Sequence, residues 1–365
     1  MVEAISPRSQ KIVEWYERRL APVAFVIGFI FDSITFTRVD FLFDHVILIG
    51  HLLIAASGIV LVNAYAQGRL REEFMARFVL FYPLAIQFSF GALFSGFTVL
   101  FVRSGSFAGS WLFLVFLALI LVGNEFFRER YKRFIFHIGI YFVALFSYAI
   151  IAIPVLLRDI GPWIFVLSGI ASILAIAFLA AILAFVAPAI IRENRFRLMG
   201  AIGGVYLLFN LFYFTNIIPP IPLVLKHLEI YHSLERLDNG KYRLEYEDAP
   251  WYRPWSGTDP IFRWVRGTKA IAFSAVFAPA DINTKIVHRW LYYDEAAGAW
   301  VERNIIGFTM KGGRDTGYRG YSEKEAITPG KWRVEVRTER GELLGRTTFE
   351  VIETTAPPKL EVREL

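Results

Sequence analysis

Ionisable and amide side chains interrupt the apolar first 220 residues of this 365-residue chain, and they are its first candidates for chemistry. Such groups are costly inside a membrane and often relay protons or line a substrate path. Asp44 and His51 are seven residues apart, so a helix would place them on one face. The six candidates for a polar site in the membrane are Asp32, Asp44, His51, Gln87, Asn124 and Glu125.

These side chains also have a structural interpretation. Asp44 lies near the end of an apolar run, where it would contact water at the membrane surface. Glu125 precedes Arg128 and Arg130, and either arginine could pair with it at the opposite surface. Asp32 and His51 lie deepest in their runs, so they are the two side chains that most need a functional explanation.

A second group of candidates combines tryptophan, tyrosine and arginine in the C-terminal part of the chain. Exposed Trp and Tyr side chains bind sugars or lie at bilayer surfaces, and arginine forms paired hydrogen bonds with phosphate or carboxylate. Trp251 and Trp255 flank Pro254, and the glycine-rich segment Gly312–Tyr321 carries two arginines. The six candidates for partner binding are Trp251, Trp255, Arg314, Tyr318, Arg319 and Tyr321. The alternative for Gly312–Tyr321 is an ordinary connection between strands, in which Arg314 or Arg319 pairs with a nearby carboxylate.

The sequence matches no common catalytic template. It has no cysteine, which excludes disulfides, Cys-ligated metals and a cysteine nucleophile. His227 and His232 are five residues apart and do not fit the His-Glu-x-x-His pattern. Gly312–Tyr321 lacks the Gly-Lys-Ser/Thr ending of a phosphate loop, and no Gly-x-Ser-x-Gly motif occurs. We therefore predict no catalytic residue, no metal site and no cofactor, which favours a protein that is not an enzyme.

The composition indicates a membrane protein. The chain is 55% hydrophobic and 20% charged, which excludes a purely soluble enzyme and a disordered chain. A spanning helix needs roughly 20 mostly apolar residues, and seven runs predict a seven-helix membrane domain over residues 22–219. These runs are Pro22–Thr37, His45–Tyr65, Phe78–Val102, Ser110–Phe126, Phe134–Leu157, Trp163–Ile191 and Leu198–Pro219. A cleavable signal peptide is the alternative for the first run, but no small-residue cleavage site follows it.

Lysine and arginine alternate between the connections and predict the orientation. Fourteen of them lie in the N-terminal segment and in the second, fourth and sixth loops, against three in the other loops. Because basic residues favour the cytoplasmic side, the N-terminus is predicted to be cytoplasmic and the C-terminal domain extracytoplasmic. Residues 1–21, with a helix start at Ser6-Pro7, are predicted to be an interfacial helix on the inner leaflet; a docking helix for a cytoplasmic partner is the alternative. The formal charge of +6 is a topology signal, without a basic stripe suited to nucleic acid.

The periodicity changes from helical to two-residue alternation after a proline-rich exit linker at residues 220–226. Asn239-Gly240 is a typical hairpin turn, and about seven short strands follow in residues 227–355. This pattern predicts an all-β sandwich of immunoglobulin-like build. Trp290 and Trp332 lie within strand patterns and are predicted to be core residues. Residues 356–365 are predicted to form a flexible tail.

Several motifs resemble an uncharacterised bacterial family of multi-span membrane proteins whose C-terminal module is called domain of unknown function 2914. In the C-terminal part these are His288-Arg289-Trp290, Gly312–Tyr321 with Ser322, Pro329–Val334, and Gly345-Arg346 before Phe349-Glu350-Val351. In the apolar part they are Gly28–Asp32 with Arg38-Val39-Asp40, Phe90–Ser95 and Gly123-Asn124-Glu125. The resemblance implies an integral protein of the inner membrane of a Gram-negative bacterium. It implies no activity.

Together these patterns favour a non-enzymatic envelope scaffold or binding protein. Seven helices would hold a periplasmic β-sandwich that binds another protein, a glycan or anionic lipid headgroups. The alternative is a transporter or intramembrane enzyme for a lipid-linked or hydrophobic substrate. The lipid bilayer is the one partner common to both hypotheses, and the oligomeric state stays open.

Overall fold

A computed structural model describes residues 30, 34, 42–69, 81–104, 111–117, 119, 130–218, 222–251, 257–279, 282–312 and 316–365. The chain divides into two compact units. The first, the helical unit, comprises residues up to Val102, Leu112–Leu156 and Gly161–Tyr213. The second, the strand unit, comprises Arg103–Trp111, Leu157–Ile160 and Phe214–Leu365.

The described residues of the apolar half form six helices. They are α1 (Leu42–Ala66), α2 (Phe81–Ser104), α3 (111–117), α4 (Arg130–Leu157), α5 (Pro162–Val186) and α6 (Pro188–Phe214). Four segments among the described residues are long and apolar enough to cross a membrane: Leu42–Ala66, Phe134–Leu157, Pro162–Val186 and Pro188–Phe214. The expected first span, apart from Ile30 and Ile34, and the expected interfacial helix at residues 1–21 lie outside the described residues. The count of seven therefore stays a prediction.

Apolar side chains cover the outside of these helices as well as their contacts. Leu53, Leu174 and Phe178 are more than half exposed, as expected where lipid replaces water. Aromatic rings fill the interior of the unit: Phe146 stacks on Phe209 with 4.7 Å between ring centroids. Gly169 permits this packing, because a Cβ there would lie 2.8 Å from the ring of Tyr206.

The boundary between the last two predicted spans is wrong. α5 ends at Val186, and α6 begins at Pro188 and continues to Phe214 without the expected loop. Proline fits the first turn of a helix, so the chain resumes a helix at once. The three arginines assigned to that loop lie inside α6, where they are exposed: Arg192, Arg195 and Arg197. The hydropathy pattern predicted a loop at the three arginines, whereas the structure interrupts the helix just before Pro188.

The described residues of the strand unit form eleven strands. They are β1 (Val224–Tyr231), β2 (Ser233–Arg236), β3 (Tyr242–Tyr246), β4 (Ile261–Trp264), β5 (Ala270–Phe277), β6 (Asn283–Asp294), β7 (Ala299–Lys311), β8 (Tyr318–Lys324), β9 (Gly330–Thr338), β10 (Leu343–Glu353) and β11 (Glu361–Glu364). Sheet I has the order β1-β5-β8, sheet II β4-β10-β9-β6-β7, and sheet III β11-β3-β2. The pairs are antiparallel except β4 with β10.

The region is β-rich, as predicted, and the two tryptophans lie in its core. Trp290 is 0% exposed and Trp332 2% exposed, and their rings pack edge to face. Side chains of sheets I and II share this apolar cluster, which includes Ile230, Ala272 and Phe349. The expected count of about seven strands is wrong for the described residues. The immunoglobulin-like build stays a prediction.

The expected flexible tail is also corrected. Glu361–Glu364 form β11, which pairs with β3 in sheet III. The backbone of Leu365 exchanges two hydrogen bonds with Tyr242, at 2.9 and 3.0 Å. The short polar segment carries little apolar periodicity, so its order comes from the sheet edge that it covers.

Candidate functional site

The outward side of sheet II carries a cluster of cations and aromatic rings, here called the cationic face. Alternation along β9 points Trp332 and Val334 into the core, so Lys331 and Arg333 lie on the opposite side. The same alternation places residues from β6, β7 and β10 beside them. The cationic face consists of Tyr293, Trp300, Lys331, Arg333 and Arg346.

Arg333 is held at the centre of the cationic face. Its guanidinium carbon lies 3.9 Å from the centroid of the Trp300 ring, a close cation–π contact. The ring of Tyr293 packs edge-on against Trp300, with 5.2 Å between centroids. Arg333 Nε donates a hydrogen bond to Thr348 Oγ1 at 3.3 Å. These contacts fix one side of the guanidinium and so limit the entropy lost when the group binds a ligand.

The three cations of the cationic face have carboxylates as neighbours in the strand register, where Glu350 lies opposite Lys331 and Glu335 opposite Arg346. Among the described residues, no carboxylate lies within ion-pair distance of Lys331, Arg333 or Arg346. Burial and the neighbouring charge of Arg346 lower the pKa of Arg333, and Glu335 partly opposes them. An anion bound beside Arg333 and Arg346 would relieve this repulsion.

Other arginines on the same side of sheet II are paired and serve as a contrast. Arg289 Nε donates a short hydrogen bond to Glu302, and Arg337 Nε donates one to Glu335 at 2.8 Å. The charges of these pairs are balanced within the sheet. The arrangement at Arg333 is therefore specific to the cationic face.

The guanidinium of Arg333 can form two parallel hydrogen bonds with a carboxylate or phosphate group. The aromatic rings beside it can pack against an apolar or sugar surface of the same ligand. The site holds no nucleophile paired with a base, so its geometry fits binding. Within the described residues, no cluster of three His, Asp or Glu side chains could hold a metal ion.

The predicted partner-binding residues lie elsewhere in the strand unit. Trp251 is 90% exposed and Tyr321 42% exposed, whereas Tyr318 packs against an apolar core cluster. Arg319 Nη1 donates to the Gly240 carbonyl at 3.4 Å, which ties β8 to the turn between β2 and β3. Trp255 and Arg314 lie outside the described residues. The structure thus brings Arg319 and Tyr321 onto one strand, and their ligand role stays a prediction.

All five residues of the cationic face were missed as site residues from the sequence: Tyr293, Trp300, Lys331, Arg333 and Arg346. Arg333 and Trp300 are far apart in sequence and lie on β9 and β7, with β6 between them. The available signal was the alternation in Lys331–Val334, which predicts outward cations once Trp332 is assigned to the core. The strand order was needed to bring Trp300 beside them.

Two side chains of the predicted membrane site, Asp44 and His51, are described by the structure, and the site stays a prediction. Asp44 is 3% exposed on α1, and His51 Nδ1 lies 3.4 Å from Ser89 Oγ of α2. The adjacent His45 instead contacts α4, with 3.3 Å between its Nδ1 and the Tyr148 hydroxyl. Gln87 lies on α2, and its side chain is outside the described set, as are Asp32, Asn124 and Glu125.

An apolar groove lies between α1, α4 and α5. Its volume is about 850 Å³, and aliphatic side chains provide most of its wall. The polar side chains in the wall are Ser57, Tyr141, Tyr148 and Ser172. Neither Asp44 nor His51 contributes to it.

Motifs that carry the family resemblance build the core of the strand unit. His288, on β6, is 0% exposed, and burial lowers its pKa to about 4. Its Nε2 lies 2.8 Å from Ser274 Oγ, and its Nδ1 2.8 Å from Ser322 Oγ. Trp290 Nε1 donates to the same Ser322 oxygen at 2.9 Å. This set of residues is closed to substrate and ties sheet I to sheet II.

Residues 283–351 match a family model described as "Protein of unknown function (DUF2914)". No curated protein matches the chain. Among solved structures, the chain aligns with Pseudomonas fluorescens alkylpurine DNA glycosylase AlkC bound to DNA containing an abasic site analog. That alignment has 12% identity, covers 87% of this chain and 100% of the other, and has a TM-score of 0.22. A score at this level shows no shared fold.

Proposed function

We propose that this chain is a membrane-anchored, non-enzymatic binding protein whose strand unit binds anionic groups through the cationic face. One observation carries the proposal: Arg333 is stacked on Trp300 beside Arg346, with no carboxylate paired to either arginine among the described residues. Preorganised guanidinium groups that form no ion pair favour carboxylate or phosphate ligands. The family match over residues 283–351 covers the whole cationic face and names no function.

The proposal includes a location. Four apolar helices support membrane association, and the distribution of lysine and arginine supports a cytoplasmic N-terminus. Seven spans would then carry the strand unit to the periplasmic side of a bacterial inner membrane. There, acidic glycans and anionic lipid headgroups both offer the required chemistry.

The test uses the full chain reconstituted in nanodiscs of zwitterionic lipid. Binding is measured to a soluble polyuronate and, separately, to vesicles containing phosphatidylglycerol. We expect the double substitution Arg333→Gln and Arg346→Gln to weaken binding by roughly tenfold or more, because each lost charge-assisted hydrogen bond contributes about 1.5–3 kcal/mol. Binding of polyuronate alone identifies a glycan ligand, and binding of vesicles alone identifies a lipid headgroup.

Arg266→Gln is the matched control. Arg266 lies in the same unit, its side chain is 83% exposed, and it pairs with Glu353 away from the cationic face. This substitution removes one positive charge without altering the stacked arginine, so we expect less than a twofold effect. An equal loss in the control would show a general charge effect, and failure to bind either ligand would overturn the proposal.

The alternative function, transport or intramembrane chemistry on a hydrophobic substrate, has one supporting feature in the groove of the helical unit. The described polar candidates do not line that groove, however. Asp44→Asn and His51→Gln test this alternative in a strain that depends on the protein. Loss of function at a normal protein level would favour it over the binding protein.

A further inference from the structure

The groove between α1, α4 and α5 is unsuited to water. A buried water needs two to four polar partners, whereas the wall offers four polar side chains, two of which already have intramolecular partners. Ser172 Oγ donates to the Ser168 carbonyl at 2.7 Å, and the Tyr148 hydroxyl lies 3.3 Å from His45 Nδ1. The remaining wall is almost wholly hydrocarbon and aromatic, which favours an apolar occupant.

The length of the groove matches one membrane leaflet. Its wall runs from Ile49 to Leu61 on α1 and from Tyr141 to Ile153 on α4. Twelve helical steps correspond to about 18 Å, and half of the hydrocarbon core of a bilayer is about 15 Å. An extended chain from a single leaflet would therefore fill the groove along its length.

The shape of the groove suits a hydrocarbon chain. Its wall combines small alanine and serine side chains with large aliphatic and aromatic ones. A hydrocarbon chain is slender and flexible, and it can bend to follow such a wall.

The rim of the groove is compatible with entry from the bilayer. Leu53 on α1 and Phe178 on α5 line the groove and are 61% and 70% exposed. Both helices are apolar enough to lie in a membrane, so their exposed side chains would face lipid. A lipid chain can then pass from the bilayer into the groove without crossing a polar surface.

We propose that the groove binds a hydrocarbon chain of a membrane lipid as a specific site. The proposal requires the helical unit to lie in a membrane, and it does not depend on the cationic face. The bound chain would complete the packing between three helices that otherwise enclose an empty space, since voids forfeit dispersion contacts.

The test uses the full chain reconstituted with a phospholipid that carries a diazirine in its acyl chain. After illumination, mass spectrometry locates the labelled residues. We expect labelling to concentrate on groove residues of α1, α4 and α5. Ala175→Phe, which narrows the groove, should reduce this labelling by roughly tenfold, because it displaces several methylene groups of the chain.

Ala177→Phe is the matched control. Ala177 lies on α5, is exposed like Ala175 and does not line the groove, so the labelling should stay unchanged. Ala56→Phe narrows the groove from α1 and repeats the test with a second helix. Thermal melting followed by circular dichroism at the helix signal identifies any variant whose helical unit fails to fold, and that variant is replaced by the other.

Three results would overturn the proposal. Labelling that is uniform over all lipid-facing positions would show ordinary solvation by the bilayer. Equal labelling of Ala175→Phe and Ala177→Phe would show that the groove is not the site. A photoreactive amino acid placed at position 56 or 175 could instead cross-link to protein. Such cross-links, with no lipid label at these positions, would assign the groove to another segment or a second copy.

Discussion

His288 Nδ1 and Ser322 Oγ lie 2.8 Å apart in a fully enclosed part of the strand unit. Ser322 accepts a hydrogen bond from Trp290 Nε1, so its own proton is available to His288. His288 Nε2 then donates to Ser274 Oγ, which donates to the Gly320 carbonyl at 3.4 Å. Every polar atom is satisfied only when the imidazole is neutral.

The first prediction concerns acid stability. Burial lowers the pKa of His288 to about 4 in the folded protein, whereas the unfolded chain has a value of about 6.5. Between these values the unfolded chain binds a proton that the folded chain does not, so stability falls as the pH falls from about 6.5 to 4. The loss should approach about 1.4 kcal/mol per pH unit and total about 3 kcal/mol.

Urea unfolding of the full chain in detergent, followed by tryptophan fluorescence, measures this loss. Six of the nine tryptophans lie in residues 251–332, so the signal reports mainly on the strand unit. His288→Gln should be less stable at pH 7.5 but should depend less on pH in this window. If the free energy of unfolding changed equally with pH in the wild type and the variant, the pH dependence could not be assigned to His288.

The second prediction concerns Ser322→Ala. The substitution leaves Trp290 Nε1 without its acceptor and His288 Nδ1 without its donor, both in a site closed to water. Each unsatisfied buried group costs about 1–3 kcal/mol, so the urea midpoint should fall clearly. Ser233→Ala is the control, because Ser233 is half-buried at a sheet edge and donates to Glu245. A loss no greater than in the control would show that the buried set contributes little.

The sequence predicted this core better than it predicted the surface site. Trp290 and Trp332 lie in alternating patterns, and alternation determines which side of a strand faces inward. The partnership of Arg333 with Trp300 depends on the order of β9, β6 and β7, which local periodicity does not contain. A strand order arises from many weak long-range pairings, so the cationic face emerged only in three dimensions.

The helical unit shows the same division between local and long-range information. Hydropathy located the apolar helices because the bilayer imposes a length and a composition on each one. It could not locate the break at Pro188, which depends on backbone geometry within one continuous apolar stretch. The groove was also beyond prediction, because its wall combines three helices.

The third prediction concerns the C-terminal strand. Arg363 Nη1 donates to Glu229 Oε2 and its Nη2 to the Gly257 carbonyl, both at 3.1 Å. Its guanidinium also lies 4.4 Å from the centroid of the Tyr246 ring. Arg363→Gln removes one of the two hydrogen-bond donors to the mostly buried carboxylate of Glu229, the other being the Tyr231 hydroxyl, and should cost about 1–3 kcal/mol of unfolding free energy. It should also expose β11 to carboxypeptidase digestion.

Arg243→Gln is the control for Arg363. Arg243 pairs with Glu235 and Glu364, and all three side chains are substantially exposed. Surface pairs of this kind contribute about 0–1 kcal/mol, so the midpoint should barely move. Equal effects of the two substitutions would mean that Arg363 does not anchor β11.

The fourth prediction compares two glycines that approach other residues closely. A Cβ on Gly312 would lie 2.0 Å from the Pro279 carbonyl oxygen, which belongs to the backbone. A Cβ on Gly345 would lie 2.3 Å from Leu225 Cδ2, the flexible end of a side chain. Gly312→Ala should therefore destabilise the strand unit by about 3 kcal/mol and Gly345→Ala by about 1 kcal/mol. The reverse order in urea unfolding would contradict the proximity of Gly312 to Pro279.

The last prediction concerns salt. If the cationic face binds anionic groups, the affinity must fall as salt rises, because the contributing charges are partly exposed to solvent. Arg346 and Lys331 are exposed, whereas Arg333 is half-buried over Trp300. The exposed pair should therefore account for most of the salt dependence, and Arg333 for most of the affinity that persists at high salt.

Titrations of the full chain with polyuronate or vesicles at 0.05 and 0.5 M NaCl separate these contributions. Lys331→Gln should flatten the salt dependence while retaining most binding at high salt. Arg333→Gln should lower the affinity at both salt concentrations, since it removes the stacked and preorganised donor. Trp300→Leu keeps every charge but removes the cation–π contact, so it should resemble Arg333→Gln. If Trp300→Leu binds as well as the wild type, the stacking of Arg333 has no part in recognition.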